Sequence, residues 1–184
     1  MTAIRKVGLI GLGNLGKPMA KNLVKAGFDL AVYDVRADPM EELKGLGATA
    51  CASVAELGAR SEVIISMLLN VAQTKDVLFG ANGLIGAVRP GAKLVIGSTI
   101  GPGPMMEIAE AFKGKDVAVI DAAMAGGHPR AELGTLTLMV GADPAVLDDV
   151  MPVLRAVGNN IIRAGGVGTG QMAKIANNLV LGIN

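Results

Sequence analysis

A glycine triplet, Gly11-x-Gly13-x-x-Gly16, stands between a short apolar run, Lys6–Ile10, and an amphipathic pattern, Leu15–Ala26. That arrangement restricts the chain to strand, tight turn and helix in immediate succession. The first glycine permits the turn, the second lets a bulky anion come close to the backbone, and the third lets helix and strand pack closely. Within Leu15–Ala26, Leu15, Met19, Leu23 and Ala26 recur at helical spacing and make one apolar stripe. Pro18 falls in the first turn, where a missing N–H costs little. Gly27 supplies the stop.

The same alternation continues along the chain. Strand patterns are expected at Lys6–Ile10, Asp29–Tyr33, Ala48–Ala50, Val63–Met67, Lys93–Ile96, Val117–Asp121, Leu136–Val140 and Asn160–Arg163. Helix patterns are expected at Leu15–Ala26, Pro39–Leu46, Ser53–Ala59, Val71–Phe79, Pro104–Phe112, Pro144–Val157 and Gly168–Asn184. This predicts an α/β fold: a Rossmann-like, doubly wound, mostly parallel sheet with helices on both faces. Leu136–Val140 follows a loop rather than a crossover helix, so it is expected to pair antiparallel near the sheet edge. Pro152 predicts a kink, or two short helices, within Pro144–Val157. Residues are 51% hydrophobic, while Phe28, Tyr33, Phe79 and Phe112 are the only aromatics. Such a core is aliphatic, as in parallel strands covered by helices.

A helix that starts just after a glycine turn offers free N–H groups and partial positive charge to phosphate. Asp34 ends the next strand about 20 residues beyond Gly11, the spacing of a dinucleotide fold's ribose-binding acid. Gly11, Leu12, Gly13, Asn14, Leu15 and Gly16 are therefore the candidate cofactor loop. Asp34 is expected to accept hydrogen bonds from the adenine ribose, which favours NAD over NADP because a 2′-phosphate would be repelled. Two readings of Arg36 stand: a partner for such a phosphate, or a solvated surface residue.

Other chemistries are poorly served. The formal net charge of +1 gives no electrostatic case for nucleic acid or a membrane surface. Cys51 is the sole cysteine and His128 the sole histidine, too few for a Cys/His metal cluster. Ser66 and Ser98 lack His and Asp partners in triad form. The lone cysteine, with an opening unlike a signal peptide, predicts a cytoplasmic protein.

The final stretch carries Lys174 and Asn178 four residues apart, on one helical face. Lysine can pass a proton, and an amide can orient an oxygen beside it. The helix continues apolar through Leu179, Val180, Leu181 and Ile183. That surface is expected to be covered by a further part of the protein. The domain boundary is accordingly expected between residues 165 and 166: residues 1–165 form the dinucleotide-binding domain, and 166–184 begin an interdomain helix.

GLGNLGKPMAKNLVKAG resembles the opening of the β-hydroxyacid dehydrogenases. Four more blocks follow in family order: SMLLN (Ser66–Asn70), GSTIGP (Gly97–Pro102), DAAMAGGHPRAELGTLTLMVG (Asp121–Gly141) and GVGTGQMAKIANN (Gly166–Asn178). The resemblance implies hydride transfer between a 3-hydroxyisobutyrate-like acid, or its semialdehyde, and NAD(P). It implies Lys174 as general acid/base and Asn178 as substrate-positioning amide, with Asn177 a second candidate. It implies that Gly126 and Gly127 offer N–H groups to the substrate carboxylate. It implies that Met67, Leu68, Leu69, Ser98 and Thr99 line the nicotinamide side. It further implies an all-helical second half that closes the site and makes a homo-oligomer.

The match has departures. Ala125 stands where the family carries serine in its Ser-Gly-Gly block, so a less polar or bulkier substrate is expected. His128 and Arg130 are candidates to replace the lost donor near the carboxylate, or are simply exposed in a Gly-Pro-rich loop. Leu69 replaces a usual proline, and Gly97 a common acidic residue. Two further readings stay open: a cofactor-binding domain without turnover, and an imine reductase relative, against which Lys174 counts.

Overall fold

A computed structural model describes residues 4–183, with residue 183 as backbone alone. Asn184, at the end of the last expected helix, lies outside the described residues, as do residues 1–3. The order is β1 (Lys6–Ile10), α1 (Gly16–Lys25), β2 (Asp29–Tyr33), α2 (Ala37–Lys44), β3 (Thr49–Ala50), α3 (Val54–Arg60), β4 (Val63–Ser66) and α4 (Val71–Phe79). Then follow β5 (Lys93–Ile96), α5 (Pro102–Lys113), β6 (Ala118–Ala125), α6 (Gly127–Leu133), β7 (Leu136–Gly141), α7 (Pro144–Val157), β8 (Gly158–Gly165) and α8 (Thr169–Ile183).

Among the described residues the sheet is eight-stranded, in the order β3-β2-β1-β4-β5-β6-β7-β8. The chain winds outward from β1 through β2 to β3, then returns to place β4 on the other side of β1. Ligands of doubly wound sheets bind at such a reversal, beyond the C-terminal strand ends. Pairings are parallel except β6 with β7. Leu136–Val140 pairs antiparallel with β6 near the sheet edge, as expected, with β8 alone outside it.

Both faces are covered, because strand side chains alternate. Leu9, Val32, Ile65 and Val95 pack on one side with Met19 and Leu23 of α1 and Val150 and Leu154 of α7. Ile10, Ile64, Leu94 and Ile96 pack on the other with Leu57 of α3, Leu78 of α4 and Ile108 and Phe112 of α5. Caps set several helix starts. Ser53 Oγ accepts from Glu56 N–H while Glu56 accepts from Ala52 N–H, and Asn70 and Gln73 make the same exchange before α4.

Three expectations are corrected. α7 is a single helix through Pro152, not two short ones. Pro152 lies on the exposed face, where water can take the orphaned carbonyl, and buried Val150, Val153 and Leu154 hold the helix down. The segment around His128 is no loop: α6 begins at Gly127. Its end is tied by Asn22 Nδ2, which donates to the carbonyls of Ala131 (2.8 Å) and Glu132 (3.4 Å). The apolar stripe of α1 is carried by buried Met19, Ala20 and Leu23, whereas Ala26 is exposed.

Candidate functional site

The glycine loop crosses the end of β1 at the reversal. Gly11 has φ +91°, which glycine adopts without strain. A side chain there would strike the Met67 carbonyl, and one on Gly16 would strike the Gly11 carbonyl. Gly13 differs: a Cβ there would meet no atom within 4 Å. Two glycines are thus required by packing, and the third keeps space open above the loop. In the first turn of α1 the Lys17 and Met19 N–H groups donate to the Gly13 and Leu15 carbonyls, each at 3.1 Å, and Pro18 has no N–H, so the amides left to meet an anion are those of the loop that leads into the helix.

Asp34 follows directly on the end of β2, with its carboxylate buried. Its Oδ2 accepts from Leu12 N–H at 2.6 Å, and its Oδ1 accepts from Arg36 N–H at 2.9 Å. Burial pushes this carboxyl up, but hydrogen bonds from the Arg36 side chain, Leu12 N–H and Arg36 N–H outweigh it and leave it below the usual aspartate value. Asp34 is therefore ionised at neutral pH. A cleft of about 310 Å³ opens beside it, lined by Leu12, Gly13, Asn14, Arg36, Pro39 and His128 among others. His128 is thus brought to the glycine-loop cleft. It is half exposed there, with Nε2 3.8 Å from Glu132 of the same helix.

The loops after β4, β5 and β6 meet the same edge. Met67 and Leu68 are half-buried and Leu69 is exposed. Ser98 is buried, and its Oγ accepts from Leu68 N–H at 2.8 Å, so it braces one loop against the next. Thr99 is exposed. The departure at Gly97 has a packing cause, since a side chain there would collide with the sulfur of Met67. Ala125 ends β6, and the exposed Gly126 and Gly127 follow at φ +126° and +66°. Arg130 folds back beneath Gly126, where a Cβ would lie 2.6 Å from its Cδ.

α8 packs against β6 and β7 through Gly170, where a Cβ would lie 2.9 Å from Asp121 Cγ. Lys174 is half-buried, and burial lowers its pKa below the usual lysine value. Asn178 is exposed, whereas Asn177 Nδ2 is buried without a hydrogen-bond partner. The two residues placed on one face by spacing thus differ in environment, and Asn177 holds the unspent donor. Sequence reasoning missed Gln171 and Asp121, both fully buried and hydrogen-bonded to each other. A glutamine near a helix start carries no local signal of such a partner. Among the described residues no His, Cys, Asp and Glu groups could hold a metal ion, and no helix is long and apolar enough to cross a membrane.

Residues 6–166 match the sequence model for the NAD binding domain of 6-phosphogluconate dehydrogenase. The chain is 43% identical over 180 residues to the "Probable 3-hydroxyisobutyrate dehydrogenase, mitochondrial" of Dictyostelium discoideum, covering 98% of this chain and 56% of that protein. It is 40% identical to the mitochondrial 3-hydroxyisobutyrate dehydrogenase of Mus musculus, covering 100% of this chain and 55% of that one. A crystal structure of 3-hydroxyisobutyrate dehydrogenase from Salmonella typhimurium superposes with a TM-score of 0.92 at 30% identity, over 97% of this chain and 63% of that one. The chain thus spans little more than half the length of the curated relatives it matches.

Proposed function

Because the chain belongs to the β-hydroxyacid dehydrogenase family, as its NAD-binding domain, we propose that it serves oxidation of a 3-hydroxyisobutyrate-like acid with NAD as preferred cofactor. The carrying observation is the pairing of an open Gly13 cradle with an ionised Asp34 just past the end of the neighbouring strand. The loop amides leading into α1, with the positive end of that helix behind them, would hold the pyrophosphate, and Asp34 the ribose hydroxyls. When bound, the dinucleotide supplies the hydride acceptor.

The remaining work falls to this chain's own residues. Lys174 in its neutral form takes the substrate hydroxyl proton, and burial supports that role by making the neutral amine easier to reach. Gly126 and Gly127 present backbone N–H groups to the substrate carboxylate, and Asn178 or Asn177 orients the hydroxyl. Ala125 leaves this pocket without a hydroxyl donor, which favours a less polar substituent. α8 leaves Met172, Ile175 and Leu179 exposed along one face, which is read as the seat of a helical second half.

Calorimetric titration with NAD⁺ and NADP⁺ tests the cofactor site. Saturable binding, tighter for NAD⁺, is expected, and failure of both to bind would remove the reading. A spectroscopic assay of 3-hydroxyisobutyrate oxidation then tests the chemistry.

A further inference from the structure

Gln171 lies three residues before Lys174 and has no exposed surface. Its Oε1 accepts from the N–H groups of Ile100 at 2.8 Å and Gly101 at 3.0 Å. Its Nε2 donates to the Ser98 carbonyl at 3.0 Å and to Asp121 Oδ1 at 2.9 Å. Its backbone N–H donates to Asp121 Oδ2 at 2.9 Å. These partners dictate which end of the amide is oxygen: two donors stand on one side, and a carbonyl and a carboxylate on the other. Glutamate could not donate, and an apolar side chain could do neither.

The bonds link two helix starts. Gly101 precedes α5 at φ +83° and has no side chain to cap it, so Gln171 Oε1 satisfies that N-terminus from across the fold. Asp121 does the same for α8, accepting from the Gln171 N–H at 2.9 Å, while against the upward push of burial the backbone of Gly168 and Gly170 also helps to hold its carboxyl down. Ser98 carries the connection on to Leu68. The loop at 67–69, the turn at 97–101 and the start of α8 are therefore joined through Ser98, Gln171 and Asp121.

We infer that Gln171 is a positioning residue that holds the first turns of α8, and with them Lys174, in register with the Ser98–Gly101 turn, so that a dinucleotide at that turn orders the lysine's helix. This rests on the proposed function, because it requires a dinucleotide there. Gln171 acts through its neighbours and does not touch the reacting atoms.

Hydrogen–deuterium exchange of the 184-residue protein, with and without NAD⁺, tests the inference. In the wild type NAD⁺ is expected to slow exchange in the first turns of α8 by about fivefold or more. Gln171→Met keeps the volume but loses the side-chain bonds. Asp121→Asn frustrates the network in either amide orientation, because flipping Gln171 would set its NH₂ against the Ile100 and Gly101 donors. Either variant, still binding NAD⁺, is expected to lose most of that slowing. A purely structural glutamine would instead speed exchange equally with and without NAD⁺, leaving the ratio intact, and an intact ratio overturns the inference. If Gln171→Met does not fold, Asp121→Asn carries the comparison. Wild-type protein that binds NAD⁺ with no slowing in α8 overturns the inference while the cofactor reading stands. Wild-type protein that binds neither dinucleotide removes that reading and the inference with it.

Discussion

Arg36 grips both carboxylate oxygens of Asp34: Nε lies 3.0 Å from Oδ1 and Nη2 lies 3.2 Å from Oδ2. The same Nη2 reaches the Leu12 carbonyl at 3.0 Å. A ribose diol competing for Asp34 must displace this guanidinium, and the largely exposed Arg36 side chain is free to swing outward. Once displaced, it is placed to meet a 2′-phosphate. Arg36→Ala is therefore expected to weaken NADP⁺ binding by about tenfold or more, the worth of one charge-assisted hydrogen bond. NAD⁺ binding should hold or tighten. Calorimetry with both dinucleotides checks this, and equal losses for both would contradict it.

Gly13 and Gly16 should respond oppositely to an added side chain. Gly13→Ala adds a Cβ that meets no protein atom within 4 Å, so the melting temperature should hardly move while NAD⁺ binding is weakened. Gly16→Ala drives a methyl group into the Gly11 carbonyl and should cost about 1–3 kcal/mol of stability, as overpacking does. Thermal melts and calorimetry on the same two proteins separate the effects.

Lys174 should reveal itself in a pH profile. A general base must be neutral to accept a proton, so oxidation should rise with pH through a pKa below that of free lysine. The reverse reduction, which needs the ammonium, should fall through the same range. Lys174→Met should leave NAD⁺ binding within about twofold while lowering turnover by about a hundredfold or more, the usual share of a general base. Steady-state kinetics in both directions provides the check.

Asp34 also links folding to acidity. Its folded pKa lies below the ordinary 3.8, so its stabilisation is complete above that value and is lost as pH falls through the folded pKa. The gap in melting temperature between wild type and Asp34→Leu should be flat near neutrality and should narrow in strong acid. A gap that widened on acidification would contradict the assignment.

Much of the fold was legible. β1, β2, β5, α4 and α7 lie where hydrophobic periodicity and turn residues put them, because each carries its own pattern over consecutive residues. The glycine loop and Asp34 were legible for the same reason. α6 was not, since Gly126-Gly127-His128-Pro129 reads as a breaker run. The left-handed Gly134 closes its end locally, but the added tie from Asn22, which donates to Ala131 and Glu132, comes from more than 100 residues away in sequence. β8 extends well past its apolar centre because it is a mostly exposed outer strand whose length follows from pairing with β7 rather than from alternation. Gln171 was invisible because its side-chain partners lie 50 to 73 residues distant.

The separation between Asp121 and its capping amides also bears on how the chain is assembled. During synthesis Asp121 emerges 50 residues ahead of Gln171. Until α8 docks, β6 must either leave this carboxyl wet or take it up protonated, and burial already pushes its pKa upward. A chain shortened to residue 165 would therefore lose more than a protruding helix. It would keep an acidic group without its amide partners or the helix that packs over it, and would be expected to melt below the longer chain.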